Sequence, residues 1–378
     1  MQLSETVKLY MTREQKARIV ATMTEYICTV NYLVSIAVKG TSISKYTTAD
    51  INVNLPSAIA NQCIRDAKSM VNKYKKAVRR ADSENQKIAK RDSAVREKKI
   101  TVPVLKKPCC YINNQNFKFN GNAIEFPVCI DGKSKRIAVC TAMTERQKEI
   151  FAKSKLGTMR IVCKGKKIIA QIVYEAVEKN DSYEGIVMGI DLGIKCPAVS
   201  YSVDGNIKFY GNGRKNKYMR RRYRHMRRKL QQKKHIEALA HINNKEQRIM
   251  KDIDHKISHE IIETAVVHNV KLIKLEQLSN IRSTTRTSRK NNHSLHNWSF
   301  YRLAQYIEYK ARLAGIQVEY VNPAYTSQRC PVCGHVHHAN DRKYTCTCGY
   351  HIHRDLLGAM NICNSTEYVG DRNIRHTA

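Results

Sequence analysis

Two pairs of cysteines constrain this chain more than any other feature. Cys330-x-x-Cys333 and Cys346-x-Cys348 are separated by twelve residues, and a glycine follows each pair, Gly334 and Gly349. A metal site, a disulfide clasp and a catalytic centre all compete for such a pattern. The chain has thirteen cysteines, an odd number, and its start, MQLSETVKLYMTREQ, lacks the apolar core of a signal peptide. A reducing, cytoplasmic setting is therefore expected, with buried thiols plus a metal cluster rather than a disulfide framework. Tetrahedral zinc takes four soft donors from two tight turns. The glycines suit knuckle turns whose N–H groups point at sulfur. The reading is one structural zinc on Cys330, Cys333, Cys346 and Cys348. The C-x-C half is tight, so His335, His337, His338, His351 and His353 stand as alternative ligands.

The charge balance narrows the partner. Sixty-seven Lys and Arg face thirty-two Asp and Glu, a net charge of +35. Such an excess repels itself in a compact chain unless a polyanion compensates, which points to nucleic acid first and anionic membrane second. No run approaches the roughly twenty apolar residues of a spanning helix, so no membrane is expected. Residues 213–235, GRKNKYMRRRYRHMRRKLQQKKH, contain no acid. Arg220, Arg224, Arg227 and Arg228, with Arg221 beside them, cover one broad helical face. Together with Arg222 and Lys229 they are the candidate phosphate contacts, because the planar guanidinium bonds two oxygens at once. A merely solvated face would carry acids at i±4, and none comes before Glu237.

Periodicity divides the rest. Residues 1–10 read as a strand. Thr12 and Gln15 make a capping box for a helix to about Lys39, with Ile19, Met23, Tyr26, Val30 and Leu33 as its apolar stripe. A second helical stretch follows Pro56 and runs into a basic segment near residues 75–99. From about Thr101 the period falls to two, with turns at Asp131-Gly132 and Lys164-Gly165-Lys166, which predicts a small β-barrel or sandwich that residues 1–10 join. From Glu184 onward comes a strand ending at Asp191, a hairpin turning at Asp204-Gly205, and one long helical stretch to about residue 268. Then follow a strand carrying Glu276, an amphipathic helix stopped by Gly315, another strand, the cysteine segment, and a helix opening near Asp355. This is an α/β and α+β multidomain chain.

Asp191, Glu276 and Asp355 are the candidate catalytic residues. Strand ends of an α/β sheet are where side chains converge on a site. Three carboxylates suit two hard cations such as Mg²⁺, which together activate a water and stabilise the leaving oxygen of a phosphodiester. Each alone is weak evidence; the order strand-Asp, hairpin, strand-Glu, helix, strand, helix-Asp is that of an RNase H-like nuclease. His353-Arg354-Asp355-Leu356 imitates a kinase H-R-D-L-x-x-x-N loop, but Met360 occupies the asparagine position and no D-F-G follows.

At these residues the chain resembles the TnpB family, transposon-encoded relatives of type V CRISPR effectors. The pieces that carry the resemblance are G-I-D-L-G at 189–193, K-L-E-Q-L at 274–278, W-S-F-Y-R-L at 298–303, K-A-R-L-A-G at 310–315, V-N-P-A-Y-T-S-Q-R-C-P-V-C-G at 321–334 and H-R-D-L-L-G-A-M-N-I at 353–362. The resemblance implies an RNA-guided DNA endonuclease that cleaves guide-matched double-stranded DNA beside a short adjacent motif. Its guide RNA would come from the transposon end, and no obligate protein partner is expected. It implies a RuvC-like domain over 181–322 and 353–366, holding Mg²⁺ on Asp191, Glu276 and Asp355. It also implies a zinc-binding insert over 323–352, a β-barrel wedge domain over 1–10 and 100–180, a helical recognition lobe over 11–99, and a tail over 367–378. Many relatives carry C-x-x-C where this chain has C-x-C, a departure that bears on the zinc geometry.

Three other readings compete. A catalytically silent RNA-guided repressor would be expected to lose a carboxylate, and all three are present. A zinc-ribbon DNA-binding protein would use the carboxylates structurally. A strand-transferring transposase would need a tyrosine nucleophile and a paired-histidine metal site on a histidine-apolar-histidine strand, and no such strand is expected.

Overall fold

The computed structural model describes residues 1–89, 97–130, 132–165, 167–178, 185–242, 244–278, 298–339 and 342–366. The chain forms two compact units, Met1–Val177 and Glu178–Ala378. Asp131 and Lys166 of the expected turns, and the expected tail at 367–378, lie outside the described residues.

The first unit contains β1 (Gln2–Tyr10), α1 (Arg13–Val38), α2 (Ser57–Ala89), β2 (Cys109–Ile112), β3 (Lys118–Asn120), β4 (Ala123–Ile130), β5 (Lys133–Ala142), α3 (Glu145–Lys153), β6 (Leu156–Lys164) and β7 (Lys167–Glu175). The capping box forms: Thr12 Oγ1 accepts from the Gln15 N–H while Gln15 Oε1 accepts from the Thr12 N–H. The strands pair antiparallel in the order β2-β6-β7-β1-β5-β4-β3. The N-terminal strand therefore sits inside the sheet, and β2 and β3 end it. Among the described residues the hydrogen-bonded order is linear, from β2 to β3. Helices and sheet share one core, in which Val7, Tyr26, Cys63, Cys110 and Phe126 are all buried. By length and composition α1 is apolar enough to cross a membrane, contrary to the expectation that no run comes close. It packs as a core helix instead, with Ile19, Met23, Tyr26, Val30 and Leu33 buried.

The second unit contains β8 (Ile186–Asp191), β9 (Ala198–Ser202), β10 (Ile207–Tyr210), α4 (Gly213–Gln232), α5 (Ile236–Ile242), α6 (Lys245–Val267), β11 (Val270–Glu276), α7 (Phe300–Ala314), β12 (Gln317–Val321), β13 (Lys343–Thr345), β14 (His351–His353) and α8 (Arg354–Asn364). The expected long basic helical stretch divides, among the described residues, into α4, α5 and α6. It breaks where Lys234 takes a left-handed backbone with φ of 54° and again before Lys245. Five strands run in the order β10-β9-β8-β11-β12. β8, β11 and β12 are parallel; β9 and β10 join antiparallel.

Strand alternation assigns each face its layer. Met188, Ile190, Ile273 and Leu275 pack with Ile257 and Ile261 of α6 and Leu303 and Ile307 of α7. The residues between them face α8: Val199 packs against Leu356 and Ala359, and a Cβ on Gly189 would lie 2.3 Å from the Ala359 carbonyl oxygen. His351-Ile352-His353 is in fact a histidine-apolar-histidine strand, β14, paired with β13. His353 is committed locally, since its Nδ1 accepts from the Asp355 N–H at 3.3 Å and caps α8.

Candidate active site

Alternation puts Asp191 and Glu276 on the α8 face, one residue beyond Ile190 and Leu275. Those two residues are direct partners in the β8–β11 ladder. Asp355 comes to the same place from the first turn of α8 and is buried. Close approach of α8 depends on two glycines. Gly189 leaves room for the α8 backbone, and a Cβ on Gly358 would stand 3.2 Å from the Asp191 carboxyl carbon.

The electrostatics record the convergence. Asp191 is held well above the usual carboxylate range, first by lost hydration and then by the charges of Glu276 and Asp355; Arg342 and Arg354 oppose the shift. Burial also raises Glu276, against the pull of the Thr326 hydroxyl. A cluster that disfavours its own charge is one that a divalent cation would relieve, and hard carboxylate oxygens are the donors such a cation takes. The residues therefore fit Mg²⁺. The gathering is loose, because among the described residues only the four cysteines bring three or more donors within 4.8 Å of one another. A guanidinium Nη1 of Arg342 bonds Asp355 Oδ1.

Several residues that sequence reasoning missed organise this site. Thr326 donates its hydroxyl to Glu276 Oε1. Asn361, on α8, donates to the Thr326 carbonyl at 2.7 Å and the Arg329 carbonyl at 2.8 Å. One amide thus ties the helix bearing Asp355 to the loop that orients Glu276. Lys274, two residues before Glu276 and buried, donates to the Cys363 and Ser365 carbonyls at the end of α8. Thr326 and Asn361 both lie inside stretches that carry the family resemblance, the one signal that marks them.

The cysteines form a second cluster. Cys330 and Cys348 sulfurs are 3.7 Å apart, and those of Cys333 and Cys346 3.4 Å. Four sulfurs at about 2.3 Å from a tetrahedral zinc stand about 3.8 Å from one another, so the set fits zinc. All thirteen cysteines are free thiols. Gly334 and Gly349 take φ of +72° and +90° and donate back to the Cys330 and Cys346 carbonyls at 3.0 Å, closing both knuckles. Among the described residues no histidine joins the sulfur group; His351 Nδ1 lies 3.3 Å from the Gly349 carbonyl instead. Leu357 of α8 shares a buried cluster with Cys330, Tyr344 and Cys346, so the knuckles brace the helix that carries Asp355.

The basic residues of α4 divide. Arg221, Arg222, Arg224, Arg228 and Lys229 are exposed, whereas Arg220 and Arg227 are partly buried. Arg227 pairs with Glu246 of α6 at 2.6 Å. Arg220 is desolvated beside Glu246 and Asp254. The expected acid-free face thus has acidic partners after all, supplied by another helix.

A family model, Cas12f1-like, TNB domain, matches residues 300–362. The TnpB-like protein MJ0751 of Methanocaldococcus jannaschii is 31% identical over 271 residues, 67% of this chain and 94% of that protein. The CRISPR-associated endodeoxyribonuclease Cas12f1 of Sulfoacidibacillus thermotolerans is 34% identical over 34% of this chain, and the match spans 30% of that protein. Among solved structures, a Cas12f1–sgRNA–target DNA complex aligns over 94% of this chain and 82% of that one, with a TM-score of 0.63 at 16% identity. The mini-RNA-guided endonuclease CRISPR-Cas_phi3 aligns over 96% and 92%, with a TM-score of 0.56 at 11% identity. These two likenesses establish a shared mixed α/β fold. With the identity to the Methanocaldococcus protein extending over two thirds of its length, the chain belongs to the TnpB family, relatives of the type V Cas12f effectors.

Proposed function

We propose that the chain is an RNA-guided DNA endonuclease of a transposable element. In this reading it cleaves guide-matched double-stranded DNA next to a short adjacent motif by Mg²⁺-dependent hydrolysis. The observation that carries the reading is the meeting of Asp191, Glu276 and Asp355, from two parallel strands and a helix, on one face of one sheet. Residues 181–322 and 353–366 act as the RuvC-like nuclease domain, and 323–352 as its zinc-binding insert. Residues 1–10 and 100–180 form the wedge, and 11–99 the recognition lobe. Asp191, Glu276 and Asp355 hold Mg²⁺, two ions in this reading. Bound there, Mg²⁺ supplies activation of the attacking water and charge neutralisation at the leaving oxygen. Thr326 fixes the Glu276 carboxylate, while Arg342 and Arg354 bring positive charge to the site where the phosphodiester becomes more anionic. The cysteine set holds one structural zinc, and the exposed cations of α4 neutralise nucleic-acid phosphate.

The test begins with RNA that copurifies with the protein, sequenced and used as guide. Wild-type protein should cut matched labelled duplex with Mg²⁺. Asp191→Ala should abolish cutting and retain guide and target binding. Wild-type cleavage rates in that variant would refute the carboxylate assignment.

A further inference from the structure

The face that carries the carboxylates does not stop at them. Asp191 pairs with Val199, and Val199 pairs with Phe209. Partners in a ladder project to the same side of a sheet, so Asp191, Val199 and Phe209 form one row. The row ends at the sheet edge, because among the described residues β10 pairs only with β9. Val199 is buried under α8, but Phe209 is 46% exposed. It is the one phenylalanine of six left that open. Its ring stands edge-on to the His353 imidazole, 5.3 Å between centroids at 87°. That imidazole is held in place through Nδ1, which accepts from the Asp355 N–H. An aromatic pair is thus tied at one end to the backbone of Asp355 and at the other to the row of Asp191.

A single exposed phenylalanine is ordinary on a protein surface. This one is set apart by its alignment with the carboxylates. We infer that Phe209 and His353 form a base-stacking subsite for a single-stranded nucleic acid whose backbone runs on toward the carboxylates. The inference rests on the nuclease reading above and adds to it the path of the strand. Every nucleobase offers a π-face, so such a platform grips a strand without reading its sequence. Two inter-strand spacings put Phe209 about 10 Å from Asp191, or roughly three nucleotides of a stacked strand at about 3.4 Å each. The occupant's charge suits a chain of net charge +35, and Arg354 adjoins His353 in sequence.

The probe is DNA with a guide-matched segment and an unpaired single-stranded flank, carrying one 2-aminopurine at successive positions of that flank, bound to the full chain with its copurified RNA. Stacking quenches this base, so wild type should show one strongly quenched position a few nucleotides from the scissile phosphate. Phe209→Ala should remove that quench and weaken single-strand binding about tenfold. Phe209→Trp should restore both. Quenching that is the same in wild type and Phe209→Ala would overturn the subsite. A change in sedimentation with unchanged quenching would also overturn it, assigning the surface to protein contact. Because fluorescence needs no cleavage, the two readings fail separately. Quenching without cutting counts against the nuclease alone, and cutting with Phe209-independent quenching counts against the subsite alone.

Discussion

Thr326 reaches Glu276 from fifty residues away, and Asn361 holds the backbone of Thr326 in turn. A hydrogen bond to a charged group contributes about 1.5–3 kcal/mol, so the hydroxyl matters for where the carboxylate points. Thr326→Val should cut the cleavage rate by about tenfold or more and raise the Mg²⁺ concentration needed for half activity, and Thr326→Ser should recover both. An unchanged Mg²⁺ titration in the valine variant would show that the contact only packs. Asn361→Ala removes the donor to two carbonyls. The Thr326 carbonyl is partly buried and the Arg329 carbonyl exposed, so one unmet acceptor costs about 1 kcal/mol, and the denaturation midpoint of the second unit should fall as well as its activity.

At the scale of elements, α8 is pressed against β8 by the absence of side chains. A Cβ at Gly189 meets backbone at 2.3 Å, which no rotamer change can relieve, whereas at Gly358 the nearest atom is the Asp191 side chain at 3.2 Å. Gly189→Ala should therefore destabilise the unit by more than Gly358→Ala, about 1–3 kcal/mol as an overpacked core. Denaturant unfolding of the two variants provides the comparison, and equal losses would mean that α8 shifts freely. The contact of α6 with α7 carries a pH signature. Lys310 Nζ donates to the His255 carbonyl at 2.6 Å and Ser258 Oγ at 2.7 Å, and burial brings its pKa down to about 8. The unfolded value is about 10.4, so folding favours the neutral amine. That stabilisation is full above the unfolded value and is lost as pH falls through 8. Lys310→Met should gain on wild type between pH 10 and pH 7, by on the order of 1 kcal/mol after solvent screening is allowed for. A stability difference that stays constant with pH would contradict the burial of this amine.

Over the whole molecule the excess of thirty-five positive charges sets the ionic behaviour. Nucleic acid releases its condensed counterions to bound Lys and Arg, so log affinity should fall with log salt by about 0.9 per phosphate neutralised on B-DNA and about 0.7 on single strands. Replacing exposed Arg221, Arg222 and Arg228 with Gln should flatten that slope for guide RNA or target DNA. Arg227→Gln acts differently, breaking the pair with Glu246 and changing stability more than slope. Zinc is the other global lever. Structural zinc contributes about 10–16 kcal/mol in small peptide sites, so Cys348→Ser should lose the metal, about one ion per chain in wild type. Through Leu357 it should also loosen α8, read as faster hydrogen exchange across residues 354–364.

What the sequence alone determined is what neighbours along the chain decide. Thr12 with Gln15 opens α1, Gly315 stops α7 in a left-handed turn, and the cysteine knuckles close over Gly334 and Gly349. These depend on groups three to five residues apart, which the chain brings together whatever else it does. The order of strands and carboxylates was legible too, because apolar runs ending in Asp191 and Glu276 mark the ends of buried strands. Tertiary structure alone decided the rest. Glu246 and Asp254 of α6 took Arg220 and Arg227 out of a face that had looked acid-free, since only folding brings the helices side by side. The strand order of the first sheet and the core that α1 shares with it were set by packing, to which periodicity is blind. Thr326, Arg342 and Asn361 came to the carboxylates through contacts spanning 13 to 50 residues, and no local pattern marks a polar side chain whose partner is that remote.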